Sequence, residues 1–240
     1  MRVVISQPML FPWVGLLEQV RLAGVFVHYD DVQFSKGSFT NRVQIKTPQG
    51  PRWMTVPVKG LTLGQHIEDV EIQAMDQWVP RHIALLEQSF SGAPYADDAM
   101  ALVRTVYSEV HRTIGTLARA SLLAVSDYFG LSEGTRFIDV RDLDAGGSGS
   151  GRVLAIVKKL GGDEYVTGHG ARNYLEHQAF EDAGVRVNYM NYECNPYPQL
   201  HGTFTPYVTS LDLVANCGKS GQAYIKSNAI PWREFLSGPA

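Results

Sequence analysis

Only two cysteines, Cys194 and Cys217, occur in the chain, and no Cys-x-x-Cys pair exists. A disulfide framework is thereby excluded and a reducing compartment implied. The same scarcity argues against zinc, because Cys194, Cys217 and His201 fit no structural-site spacing. Neither sign of charge dominates: 21 Lys and Arg stand against 24 Asp and Glu, a formal net charge of −3. Nothing in that balance draws the whole molecule to nucleic acid or to an anionic membrane, so neither is expected as a partner. Long apolar runs are also missing, and none approaches the roughly 20 residues of a membrane helix. The opening MRVVISQPMLFPW is interrupted by Gln7 and Pro8 and carries no small-residue cleavage site, so a cytoplasmic protein is expected. GGSGSGR at 146–152 lacks the Gly-Lys-Ser/Thr ending of a phosphate loop and reads as a flexible linker ending in a helix-capping serine.

What remains is a chain of 240 residues, 45% hydrophobic, with ample material for a core. RVVIS (2–6) is a short β-branched run of the kind buried on both faces of a sheet. Two prolines in QPMLFP forbid helix and central ladder, and WVGLLEQVRLAG then places Val14, Leu17 and Val20 at helical spacing. VFVHYD (25–30) follows as a second strand, completing a βαβ unit and hence implying a parallel sheet. From about 31 to 73 the pattern turns to short alternating segments, a β-rich insertion. A helical section from about 76 to 130 reads as two helices, 76–90 and a long one over 96–129 with Leu102, Val106, Val110, Ile114, Leu117 and Leu122 on one face. The β/α rhythm returns in RFIDV, GRVLAIVKKLG, DEYVTG, RNYLEHQAFEDAG and VRVNYM, and one more helix is expected near SLDLVANCG. The expected architecture is a single α/β domain over 1–240, a mostly parallel Rossmann-like sheet flanked by helices.

In such sheets ligands sit beyond the carboxyl ends of the strands. Three ends stand out: Ser6-Gln7-Pro8, Asp30-Asp31 and Thr167-Gly168-His169-Gly170. TGHGARNYL offers turn N–H groups and an imidazole, suited to an anion or to proton transfer. DDVQFSKGSFTNRVQIKT crowds Asp31, Lys36, Asn41, Arg42 and Lys46 near the second end, where cations suit a phosphate or carboxylate and the acids suit an amine or a base's work. Cys194 with His201 or His169 would make a nucleophile pair if a basic neighbour lowered the thiol pKa. His28 is expected as partnered core, His66 and His82 as decoration of a hairpin and a helix face, and His111 and His177 as solvent-facing.

QPMLFPWVG, FVHYDDVQFSKGSFTNRVQIKT, WMTVPVKG, DEYVTGHGARNYL and YPQLHGTFTPYVTSLDLVANCG together resemble the WbqC-like protein family, in order and spacing from Gln7 to Gly218. The resemblance implies a bacterial protein often encoded beside surface-polysaccharide or natural-product genes, acting on sugars or other small amine- or hydroxyl-bearing metabolites. It carries the family pattern onto Gln7, Pro8, Phe11, Pro12, Trp13, Gly15, Asp31, Lys36, Asn41, Arg42, Lys46, Gly168, Tyr174, Gln199 and Asp212. Where many members have His-Pro before Tyr-Pro-Gln, this chain has Cys194-Asn195. The opening also resembles HUP-type nucleotidyltransferase folds, but Phe11-Pro12-Trp13-Val14-Gly15 stands where their His-x-Gly-His would be.

The expectation is a transferase joining a thioester-activated acyl group to an amine or hydroxyl of a sugar or small metabolite, the donor held on an acyl carrier protein or coenzyme A. Asp31 or His169 would deprotonate the nucleophile, Lys36 and Arg42 would hold phosphate or carboxylate, N–H groups near Gly168 would steady the oxyanion, and Cys194 would be a covalent relay. Gln7, Trp13, Asn41, Lys46, Tyr174 and Gln199 complete the expected binding set, with no tightly bound cofactor and no metal. The rivals are an ATP-using nucleotidyltransferase-like enzyme and a non-catalytic glycan- or carrier-binding module, for which Trp13, Trp53, Trp78 and Tyr197 would serve as aromatic contacts.

Overall fold

Val3, Val4 and Ile5 are buried on both sides of the first strand, as their β-branched run requires. In the computed structural model, which describes residues 1–238, this strand is β1 (Arg2–Ser6) and lies at the middle of a six-stranded sheet. The other strands of that sheet are β2 (Val25–His28), β5 (Arg136–Asp139), β6 (Glu164–Thr167), β7 (Arg186–Met190) and β8 (Ala229–Pro231), arranged β5-β2-β1-β6-β7-β8. All pairings are parallel except β7 with β8. The architecture is therefore the expected mixed α/β one, with a separate antiparallel hairpin, β3 (Arg42–Thr47) and β4 (Gly50–Thr55), in the insertion after β2.

Side chains alternate between two apolar layers. Val4, Phe26, Val166 and Met190 join the larger core with α1 (Val14–Leu22) and the helices of the insertion, α2 (Val79–Phe90), α3 (Ala96–Ser108) and α4 (Ile114–Tyr128). Val3, Ile5, Val25, Val27, Tyr165, Val187 and Tyr189 point the other way, to a second core with α5 (Gly149–Lys159) and α6 (His177–Asp182). The period of two in a strand assigns each residue to its layer.

Several local expectations need correction. The long helix over 96–129 is two helices, because residues 110–113 are drawn out into backbone pairing: Ile72 N donates to Arg112 O and Ile114 N to Val70 O. Thr113 then caps α4 through Thr116 N, and Val110, counted in the apolar stripe, is 97% exposed. Of the short strands or β-rich loops expected over 56–73 the structure has the loops, with isolated bridges and a short 3-10 turn at Ile67–Asp69. The segment 172–184 yields only the short α6 after a 3-10 turn at His169–Asn173. Ser148 takes the N-cap position of α5 but makes no side-chain cap bond. The expected helix near 210 is α7 (Ser210–Cys217), and beyond it β8 and α8 (Trp232–Ser237) were not foreseen; Pro231, lacking an N–H, blunts β8 at the sheet edge.

His111 and His177 are buried, not solvent-facing: His111 Nε2 lies 2.9 Å from Val106 O, and His177 stacks on Trp232 beside the Tyr189 hydroxyl. His82 is buried too, between Tyr107 and Thr55 O. His28 is core, stacked on Phe137, yet its Nδ1 has no partner among the described residues.

Burial, then the nearby Arg119 cation, lower the His28 pKa from 6.5 to about 4, against the pull of Asp139. A histidine held neutral in this way supports the fold above its unfolded pKa, and that support is lost as pH falls toward its folded value. Replacing His28→Phe is expected to remove this acid sensitivity. Comparing urea denaturation of the two proteins at pH 7 and pH 4.5 should show the variant gaining about 2–3 kcal/mol relative to the parent at the lower pH.

A crevice at the strand-order reversal

Among the five parallel strands, chain order and spatial order disagree at one place: β1 has β2 on one side and β6 on the other. The chain leaving β1 turns toward α1 and the larger core, whereas the chain leaving β6 turns toward α6 on the opposite face. The two loops diverge and leave a gap at the carboxyl edge, the position where open α/β sheets bind ligands. Here the gap is a crevice of about 640 Å³. Ser6, Gln7 and Met9 line it from the first loop and Thr167, Gly168, His169, Gly170 and Tyr174 from the second, with Trp13, Gln19, Tyr29, Tyr192, Cys194 and Tyr207 closing its sides. A hollow of similar volume, about 670 Å³, lies at the amino ends of the strands beside Arg21, Thr135, Lys219 and Lys226, away from the converging loops.

The β1–α1 loop is pinned from both sides. Phe11 sits fully buried at φ +35°, a conformation unfavourable for a residue with a Cβ. Its N–H donates to Ser121 Oγ at 2.8 Å and its carbonyl accepts from Thr209 Oγ1 at 2.8 Å, so the surroundings over-determine the turn. This sets Trp13 at the start of α1. The indole lies across Gly15, where a Cβ would come within 2.1 Å of the ring, so only glycine is accommodated there. Trp13 meets Tyr192 and Tyr207 at centroid distances of 4.9 and 5.4 Å, an aromatic wall on one side of the crevice. Gly168 serves the same purpose opposite: a Cβ there would stand 3.1 Å from the Tyr192 hydroxyl and 3.4 Å from Gln19 Nε2. Gln19 Nε2 donates to that hydroxyl.

His169 Nε2 lies 2.8 Å from Met190 O, which can only accept, so Nε2 carries the proton and Nδ1 keeps a lone pair. The ring is braced by Tyr192 and Phe235. The first N–H groups of the turn after Gly168, those of His169 and Gly170, have no acceptor within the turn, whose first bond is from Ala171 N to Gly168 O.

Of the residues named from sequence, Gln7, Trp13, Gly168, His169, Tyr174 and Cys194 meet in this crevice. The others do not. Both carboxylate oxygens of Asp31 accept from Arg152, which also lies over the Tyr29 ring. The acid thereby braces Arg152 and, through it, the Tyr29 wall of the crevice. Asp30 is a buried clamp on Arg119, which also holds Asp139. Lys36 is exposed beside a separate hollow with Phe34 and Leu63. Arg42 stacks on Trp53 at 4.1 Å, and Asn41 is buried with Nδ2 donating to Val56 O.

Lys46 and Gln199 act together elsewhere. Lys46 is 3% exposed, and its Nζ donates to Gln199 Oε1 at 2.9 Å and Thr203 O at 2.6 Å. Gln199 accepts from Thr205 N, and His201 Nε2 lies 2.7 Å from Ser89 O. Asp212 stands behind this group, its pKa raised to about 6 by burial against the opposing effects of Tyr197 and Lys46. These bonds hold a strap, residues 192–208, whose Tyr192, Cys194 and Tyr207 form one side of the crevice. Burial pushes the Cys194 thiol up, and the Glu18 carboxylate adds to it, an environment that disfavours the thiolate of a covalent relay.

Sequence inspection missed Glu18, Gln19, Tyr29, Tyr192 and Tyr207. Tyr29 was within reach, being the residue before the Asp30-Asp31 strand end. Glu18 carried a fainter signal, an acid inside the apolar helix VGLLEQVRL.

A mostly parallel, Rossmann-like sheet flanked by helices, with an aromatic crevice at its reversal point, places the chain in the α/β class. Within it the chain belongs to the WbqC-like protein family, whose model matches residues 7–224. It is 32% identical over 229 residues to an uncharacterized protein, Rv1507c, of Mycobacterium tuberculosis (strain ATCC 25618 / H37Rv), covering 94% of this chain and 97% of that one. No solved structure matches it. Among the described residues no helix is long and apolar enough to cross a membrane.

Replacing Lys46→Met removes the cation from a buried group of acceptors, which is expected to cost on the order of 3 kcal/mol. Hydrogen exchange should then show amides of 192–208 opening ahead of the sheet. Unchanged exchange there would contradict the strap's dependence on Lys46.

Proposed function

We propose that the crevice binds a sugar or similar small metabolite bearing an amine or hydroxyl, and that the protein transfers an acyl group to it from a thioester. The observation that carries this is the lining itself: Trp13, four tyrosines and His169, with no Lys, Arg, Asp or Glu among the crevice residues. Aromatic faces and hydroxyls suit a polyhydroxylated ring. Nucleotidyl transfer needs cations to clamp moving phosphate charge, and none lines this crevice. Thioester chemistry asks for less: one base, two oxyanion donors and a leaving thiolate that is already stable.

In the proposed reaction the acceptor amine or hydroxyl attacks the thioester carbonyl carbon while His169 Nδ1 takes its proton. The negative oxygen of the tetrahedral intermediate is met by the N–H groups of His169 and Gly170. Collapse breaks the C–S bond, and the departing thiolate recovers the proton from the imidazolium. Lys36 and Arg42 hold no part in this scheme, since neither lines the crevice. The company of polysaccharide and natural-product genes that the family resemblance implies accords with such an acceptor.

The test is incubation with acyl-coenzyme A, or an acyl carrier protein, and a panel of sugars and amines, with mass spectrometry of the products. A new amide or ester is expected, formed about 10²–10⁴-fold more slowly by His169→Gln with little change in acceptor KM. Undiminished turnover in that variant would remove His169 from the mechanism. Nucleotide consumption with a nucleotidylated product would favour the ATP-using rival, and saturable binding without any product would favour the binding module.

A further inference from the structure

Beneath the aromatic wall lies a small void lined by Trp13, Gly15, Glu18, Cys194, Tyr197 and Phe204. It adjoins the crevice at Trp13 and Cys194, which line both. Its free space, about 10 Å³, is that of a single water-sized group. Glu18 is 1% exposed, and its buried Oε2 has no hydrogen-bond partner among the described residues. Other carboxylates near the strand ends are paired: Asp30 with Arg119, Asp31 with Arg152, Glu164 with Arg2. Glu18 makes no salt bridge among the described residues, and no Lys, Arg or His lines the void. A buried carboxyl normally has a partner, and the chemistry of this one calls for a cation.

We propose that Glu18 is the recognition residue for an ammonium group, so that the crevice takes an amine-bearing ligand whose cationic end enters the void below Trp13. The indole adds a second attraction for a cation through its π face. This deepens the substrate class of the crevice and rests on its being the ligand site; the ammonium so held is not the acylated nucleophile, which is then a hydroxyl or a second amine of the ligand. The titratable groups facing Glu18 are Glu193, Cys194 and Tyr192. Burial first, then Glu193, raise the Glu18 carboxyl to about 8, so at pH 7 it is mostly protonated. Arrival of an ammonium ion restores its charge, and the carboxyl proton passes to solvent.

Calorimetry of the full chain at pH 7, in two buffers of different ionisation heat, tests this with two probe pairs: glucosamine against glucose, and benzylammonium against benzyl alcohol. The amine of each pair is expected to bind about tenfold or more tighter than its neutral partner, with release of close to one proton. Glu18→Gln is expected to erase both the preference and the proton release while neutral-probe affinity stays the same. Glu18→Leu should raise Tm, since an unpaired buried polar group is removed. A Glu18-dependent preference for benzylammonium with no sugar binding would uphold the ammonium site and overturn the sugar assignment. Sugar binding without amine preference, or a preference that survives in Glu18→Gln, would overturn the ammonium site and leave the crevice assignment standing. Absence of binding by all four probes would overturn both.

Discussion

The reversal of strand order between β1 and β6 is the constraint on which the rest depends. A right-handed crossover can place its helix on only one face for a given direction of travel across the sheet. Moving outward from β1 through β2 puts α1 on one side; returning past β1 to β6 puts α5 and α6 on the other. The loops that follow β1 and β6 must therefore part. The motifs in the first loop and after β6 lie on the two banks of that parting.

The charges at the same edge serve to hold the banks still. Asp30, Arg119, Asp139 and Arg141 form one ionic chain tying the helical insertion to the ends of β2 and β5. Asp31 and Arg152 tie the end of β2 to α5. Burial raises the Asp139 carboxyl, but the bonds from Arg141 and Arg119 prevail and hold it well below the usual carboxylate range. Such partly buried networks gain more from geometry and mutual support than from any single pair. Their consequence for chemistry is indirect: strand-end acids consumed as clamps leave the crevice to aromatic rings, hydroxyls and one imidazole. An uncharged, ring-lined crevice differs from the cation-rich sites that clamp phosphate groups.

Much of the sheet was legible in the sequence, since β-branched runs two-sidedly buried and helices of period 3.6 leave marks that neighbours do not erase. RVVIS, VFVHYD and DEYVTG lie where the strands are, and the strand-end rule pointed to Gln7 and Gly168-His169. The insertion was less legible. A continuous apolar stripe over 96–129 cannot reveal that residues 110–113 are claimed by backbone pairing with 70–72, because that claim is made by residues 40 positions away. The crowding of charge at 30–46 looked like a site for the same reason: sequence shows the cations but not their partners. Arg42 was already committed to Trp53, Lys46 to the strap, and Asp31 to an arginine 121 residues on. The strap itself carries little periodicity, so Tyr192 and Tyr207 gave no sign that folding would lay them beside Trp13.

If the crevice at the reversal is the ligand site, a crystal of the protein soaked with an amino sugar will hold it there. Density is expected between Ser6-Gln7 and Gly168-His169, with the ring against Trp13 or Tyr207. Density confined to the hollow at the amino ends of the strands, beside Arg21, Lys219 and Lys226, would contradict it.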